Sequence, residues 1–170
     1  MAVLGHMVKQ RPGGTERNLL IMGNSYISCN IHCVFTTKNH QKWLNPELRD
    51  QLFPYLGGIA RDRGFKLIKF GGVEDHIHLL ISLPSTITIA QAIQYLKGGS
   101  SKWIHEKFSN MKDFSWQEGY GAFTIGISQL ENTINYIKKQ VEHHKKKSFR
   151  EELVEILNLH GIEFEEKYLL

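Results

Sequence analysis

Cysteine is scarce in this chain: Cys29 and Cys33 are the two among its 170 residues. They stand four positions apart in a stretch that alternates as a strand does, so ~13 Å separates them, too far for a disulfide between the pair. A disulfide-stapled scaffold is excluded, and small buried thiols in a reducing cytoplasm are expected. Long apolar runs are missing too. None approaches the ~18 residues of a membrane helix, and the start has no signal-peptide core, so a cytoplasmic protein with no membrane partner is expected. There is no internal repeat and no low-complexity segment. With 170 residues, 41% hydrophobic and 22% charged, the chain has the length and composition of one globular domain with a real core. Charge of one sign is not extreme: the net +4 tilts modestly toward an anionic partner.

Residues 1–24 show no usable periodicity and contain Arg11-Pro12-Gly13-Gly14; a flexible N-terminal tail is expected there, with a single domain over 25–170. From Tyr26 to Phe35, Ile27, Cys29, Ile31, Cys33 and Phe35 alternate with Ser28, Asn30, His32 and Val34, the pattern of a half-buried strand. Asn45-Pro46 is a helix start, and Leu48, Leu52, Leu56 and Ile59 recur at helical spacing, with a kink or a short break expected at Pro54. Phe65–Phe70 and His76–Leu83 form an antiparallel hairpin around Gly71-Gly72. Thr88–Gln91, Ser128–Glu131 and Ser148–Glu151 each have the spacing of a capping box. The helix after Thr88 carries Gly98-Gly99, which implies close packing or a bend. The element order predicts an α+β sandwich, an antiparallel sheet with helices on one face.

Chemistry-bearing residues concentrate in two places. His76 and His78, two apart on a strand, put both imidazoles on one face, which is half of a metal site. In a helix expected from about Leu130 to His144, Leu130, Ile134, Ile137 and Val141 form the apolar stripe. Tyr136, Gln140 and His143 fall on roughly the opposite side. Tyr136 and Gln140 are one turn apart. Tyr136 is therefore expected to face water, a cleft or another subunit. Two imidazoles plus the Gln140 carbonyl oxygen make a mixed nitrogen and oxygen site with open positions, suited to Mg²⁺ or Mn²⁺. Such an ion polarises a phosphodiester for attack by a tyrosine hydroxyl. The run Lys138, Lys139, His143, His144, Lys145, Lys146, Lys147 offers an electrostatic track for a phosphate backbone. Ser100, Ser101 and Lys102 beside the glycine pair could add a phosphate-facing patch. A solvated helix face is the plainer alternative for that patch, and a pair of polar residues on the wet face of a sheet is the plainer alternative for His76 and His78.

These motifs carry a resemblance. Asp75-His76-Ile77-His78-Leu79-Leu80 resembles the HUH motif (histidine, bulky apolar residue, histidine). Asn135-Tyr136-Ile137-Lys138-Lys139-Gln140 resembles the Tyr-x-x-x-Gln helix of the single-tyrosine HUH transposases, the IS200-like family. Ile31–Lys38, Leu96–Trp103, Trp116–Gly121 and Glu142-His143-His144 match in the same order, over about Tyr26 to Leu170. The resemblance implies a ferredoxin-like antiparallel sheet and single-stranded DNA with a hairpin as substrate. It further implies attack by Tyr136 to leave a 5′-phosphotyrosine link and a free 3′-OH, with His76, His78 and Gln140 holding the ion. It also implies a prokaryotic, nucleoid-associated homodimer, in several relatives with active sites completed in trans. Lys139, His143, Lys145, Lys146 and Lys147 would then contact DNA with Lys97, Ser100 and Lys102. Rivals are a repeat-associated domesticated nuclease, a non-catalytic DNA-binding relative, and a small zinc hydrolase using His76, His78 and a third histidine. The last needs a carboxylate base, and the sequence places none clearly.

Overall fold

The structure is a computed structural model that describes residues 26–169. The tail expected over residues 1–24 lies outside them. Four strands, β1 (Asn30–Thr36), β2 (Lys66–Gly72), β3 (His76–Ser82) and β4 (Gly121–Ile125), form one antiparallel sheet in the order β2-β3-β1-β4. Helix α1 (Pro46–Asp62) joins β1 to β2 and α2 (Ile89–Lys107) joins β3 to β4. This is the expected ferredoxin-like α+β topology. Ile31, Cys33 and Phe35 of β1 and Ile77, Leu79 and Ile81 of β3 bury their side chains against Leu48, Leu52 and Leu56 of α1 and Ile93, Leu96 and Ile104 of α2. That burial of alternate residues is the main driving force for the fold.

Local signals hold in most places. The Asn45 side chain accepts from the Leu48 N–H with Pro46 opening α1, and the Thr88–Gln91 box caps α2 in both directions. Helix α1 runs through Pro54 as one element to Asp62 instead of breaking there. Gly99 explains half of the glycine pair, because a Cβ there would come within 2.7 Å of Ile59 Cδ1 where α1 and α2 cross. Gly98 has open space.

The second face of the sheet departs from the expectation. It is not wet, and all seven residues of β1 are buried. Three further helices cover it: α3 (Leu130–Lys138), α4 (Gln140–His143) and α5 (Phe149–Leu159). Val34 and Phe123 pack there with Phe149, Leu153 and Ile156 of α5. The helices therefore lie on both faces, α1 and α2 on one and the C-terminal helices on the other. The helix expected to run from Leu130 to His144 is interrupted at Lys139 (φ −95°, ψ 14°). The Ser128–Glu131 box does not form, since residues 127–129 make a 3-10 turn and Gln129 caps α3 without a side-chain bond. The Ser148–Glu151 box does form and opens α5, which ends before Gly161 in the left-handed region (φ +63°).

Candidate active site

The strand pairing decides where the site lies. His78 is paired with Val34 on β1 and with Gly71 on β2, so its imidazole rises beside a position with no side chain. Helix α3 sits on that gap: a Cβ on Gly71 would lie 2.0 Å from the Ile137 carbonyl oxygen. This close seating brings Tyr136 to the histidines of its own chain. Its ring lies edge-on to His78 and His32, with centroids 5.9 and 6.0 Å away. Tyr136 thus faces a buried polar cluster of its own chain.

The centre of that cluster is Glu152 of α5, 1% exposed. Its Oε1 accepts from the Tyr136 hydroxyl, in a very short bond, and from Gln140 Nε2 at 2.8 Å. Its Oε2 lies 2.9 Å from His144 Nε2, 3.2 Å from His78 Nε2 and 3.6 Å from His76 Nε2. His76 Nε2 and His144 Nε2 are 3.0 Å apart. Behind this ring, His76 Nδ1 meets the Asp75 carboxylate at 2.6 Å and His78 Nδ1 meets His32 Nε2 at 2.9 Å. Asp75 precedes β3, where its carbonyl oxygen accepts from the Thr37 N–H, so strand alternation does not turn it away from His76. Such partners fix the tautomer and direction of an imidazole. The donor atoms of His76, His78, His144 and Glu152 lie within 4.8 Å of one another and could hold one metal ion.

Charge follows from this geometry. Burial pushes the Glu152 carboxyl up, but His144, His78 and the Tyr136 hydroxyl outweigh it and hold the group well below the usual range. Burial also raises Asp75, and the bond to His76 overrides it in the same way. Burial, then the charge and hydrogen bond of Glu152, raise Tyr136 far above an ordinary phenol. Burial lowers His76, with Asp75 opposing. Burial, then His78 and His160, lower His32 to about 3, with Glu152 opposing. The sign for stability follows. In the metal-free chain, unfolded His32 gains a proton as pH falls through its ordinary 6.5, whereas folded His32 resists until about 3. His32 therefore costs about 1.4 kcal/mol of stability per pH unit of acidification across that window. Glu152 and Asp75, depressed from 4.5 and 3.8, deepen the loss below those values. Urea midpoints measured from pH 7 to 4 should fall continuously; a flat profile down to pH 4.5 would refute the buried neutral His32.

Each residue expected from sequence can now be placed. Tyr136, His76, His78 and Gln140 converge. His143 does not join the donors; its ring lies 5.3 Å from Tyr136, and His144 takes the place in the cluster. The interruption at Lys139 is the reason, because it re-phases the residues that follow: Gln140 is buried, and Val141, expected in the apolar stripe, is 52% exposed. Two DNA-contact expectations are corrected. Ser100 is fully buried, donating to Leu96 O at 2.6 Å and accepting from Trp116 Nε1 at 2.9 Å. Lys97 donates to the carbonyls of Gln117 and Gly119 at 2.5 and 2.8 Å and clamps that loop. Lys102 is exposed near Glu106, on the helix across the sheet from the histidines. Lys139, Lys145 and Lys146 are exposed, and Lys147 pairs with Glu155. A cleft of about 520 Å³ lined by Lys42, Arg49, Asp75, His144, Lys145 and Lys147 opens beside the cluster.

Sequence reasoning placed His144 only in the basic run and the family match, and missed Glu152. A signal for Glu152 existed: Phe149, Glu152, Leu153 and Ile156 fall at i, i+3, i+4 and i+7 on α5, and a carboxylate inside an apolar stripe needs buried partners.

Comparison with known proteins identifies the family. The family described as "Transposase IS200 like" matches residues 25–140. The chain is similar to the transposase for insertion sequence element IS200 of Salmonella typhimurium, 29% identical over 138 residues that cover 78% of this chain and 88% of the relative. It is also similar to the ISDra2 transposase TnpA of Deinococcus radiodurans, 27% identical over 126 residues, 71% of this chain and 87% of that one. The fold is like that of the REP-associated tyrosine transposase solved bound to a REP hairpin, with a TM-score of 0.55, 18% identity and 72% of each chain covered. No helix among the described residues is long and apolar enough to cross a membrane. The chain belongs to the IS200-like transposase family.

Proposed function

We propose that the chain cleaves and rejoins single-stranded DNA at hairpin-bearing ends, with Tyr136 as nucleophile and a divalent ion, Mg²⁺ or Mn²⁺, held by His76, His78 and Gln140. One observation carries this reading: Tyr136, His76, His78 and Gln140, from a strand and two helices, converge on one buried point. The residues fit a cation, because the buried Gln140 Oε1 has no hydrogen-bond partner and imidazole nitrogens of His76 and His78 converge beside it with the Glu152 carboxylate. When bound, the ion would withdraw charge from the scissile phosphate. The Tyr136 Oη–H bond breaks as Oη–P forms, P–O3′ breaks, and the leaving 3′ oxygen takes up a proton. The reverse attack by a 3′-OH rejoins the strand. Tyr136 and the histidines come from one chain here, so this reading needs no second copy to supply the nucleophile. A relative of like fold bound to a hairpin supports the substrate class. The zinc-hydrolase alternative gains in Glu152 the carboxylate it lacked. It leaves Tyr136 and Gln140 without work and has no support from the family.

The test is incubation with single-stranded hairpin DNA and Mn²⁺ or Mg²⁺. A covalent protein–DNA adduct on a denaturing gel supports the proposal; cleavage of duplex DNA without an adduct overturns it. Gln140→Ala should lower metal-dependent cleavage by about tenfold to a hundredfold with hairpin binding within twofold of wild type. Undiminished cleavage would remove Gln140 from the ligand set. Replacing Lys145 and Lys146 by Ala should weaken DNA binding and lower its salt slope by about one to two. Lys147, already paired with Glu155, should contribute less. An unchanged salt slope would take the lysines out of the DNA path.

A further inference from the structure

The described metal donors exceed the set used above, and the excess comes from a segment beyond the family match at 25–140. Glu152 and His144 both lie in it, and Glu152 reaches the histidines because Phe149, Leu153 and Ile156 dock α5 on the sheet. We propose that Glu152 and His144 are ligands of the same ion, making a three-histidine, one-carboxylate site that selects Mn²⁺ or Zn²⁺ over Mg²⁺. This rests on the reading that His76 and His78 bind metal.

Three observations carry it. The donor separations, 2.9, 3.0, 3.2 and 3.6 Å, match the edges of a coordination shell: bonds of about 2.1 Å give edges of about 3.0 Å in an octahedron and about 3.4 Å in a tetrahedron. Protons are also too few. An ionised Asp75 carboxylate only accepts, which assigns the His76 proton to Nδ1 and leaves its Nε2 presenting a lone pair to the Glu152 carboxylate 3.6 Å away and to His144 at 3.0 Å. The single His144 Nε2 proton cannot serve both His76 and Glu152 fully. A cation resolves that repulsion. Finally, Gln140 is 1% exposed and its Oε1 lacks a partner, a further acceptor on the cluster with no proton offered to it. Imidazole favours transition-series ions and Zn²⁺, whereas Mg²⁺ prefers oxygen donors and keeps its waters. Glu152 would then do two jobs: Oε2 faces the metal position, while Oε1 receives Tyr136 and Gln140 and positions the nucleophile next to it.

The experiment is titration calorimetry of the full chain, stripped with chelator, using MnCl₂, ZnCl₂ and MgCl₂, with circular dichroism to verify folding. One Mn²⁺ or Zn²⁺ should bind per chain, at least tenfold more tightly than Mg²⁺. Glu152→Gln and His144→Ala should each weaken Mn²⁺ binding by at least tenfold; His144→Asn serves if either does not fold. Variants that bind Mn²⁺ within twofold of wild type, while His78→Ala loses it, overturn the added ligands and leave the reading of His76 and His78 standing. Mg²⁺ binding as tightly as Mn²⁺ overturns the ion preference. No loss in His78→Ala overturns the metal reading of the site itself.

Discussion

Tyr136→Phe is expected to abolish the covalent adduct with single-stranded hairpin DNA and to lower strand cleavage by on the order of 10⁴-fold or more, since no other group replaces the nucleophile. The fold should survive. The ring keeps its edge contacts with His32, His78 and His143. Glu152 Oε1 loses one donor but retains Gln140 Nε2 at 2.8 Å, so stability should change by about 1 kcal/mol. Mn²⁺ binding should be unaffected. An adduct that persists in Tyr136→Phe would show that another residue attacks. The wild-type reaction should also depend steeply on the ion. Burial, the Glu152 charge and the bond to Glu152 together hold the Tyr136 proton in place. A cation held beside Glu152 would share that charge and loosen the hold.

Gly71→Val should unseat the tyrosine helix. A Cβ at this position meets backbone, 2.0 Å from the Ile137 oxygen and 3.0 Å from its carbonyl carbon, so no side-chain rotation relieves the clash. Either α3 lifts or the edge strand β2 shifts, at a cost of about 1–3 kcal/mol. For a chain of this size that corresponds to a fall in melting temperature of about 2–12 °C. Tyr136 is the residue before Ile137, and a displacement of about 1 Å costs about a hundredfold in rate. Gly98→Ala on α2, where a Cβ meets nothing within 4 Å, is the matched control and should be neutral or slightly stabilising. Melting curves and adduct-formation rates for the two variants decide it. If Gly71→Val keeps wild-type activity, the seat of α3 on β2 is not what positions Tyr136.

Much of this was legible in local pattern, and the failures have a common cause. The strand alternation in β1 and β3 names the core face correctly because a period of two is a property of the backbone. It misjudges the other face. Whether His32 and Val34 are wet depends on Phe149, Leu153 and Ile156, more than a hundred residues later, docking there. Helical spacing aligns Tyr136 with Gln140 but prefers His143 to His144, since one non-helical residue, Lys139, shifts the phase. Ser100 reads as a surface serine until the Trp116 indole is seen to bond it, and Lys97 reads as a free cation until the 117–119 loop folds over it.

By itself, then, the sequence determined the family, the element order, the histidine pair and the tyrosine–glutamine spacing, because each is written in short-range periodicity or in a motif read within a few residues. Only the tertiary structure decided that Tyr136 meets the histidines of its own chain, that Gly71 makes room for its helix, and that His144 and Glu152 complete the cluster. The physical reason is that burial and convergence depend on which surfaces meet. A carboxylate on α5 acquires its meaning only when helix docking takes it out of water and surrounds it with imidazoles.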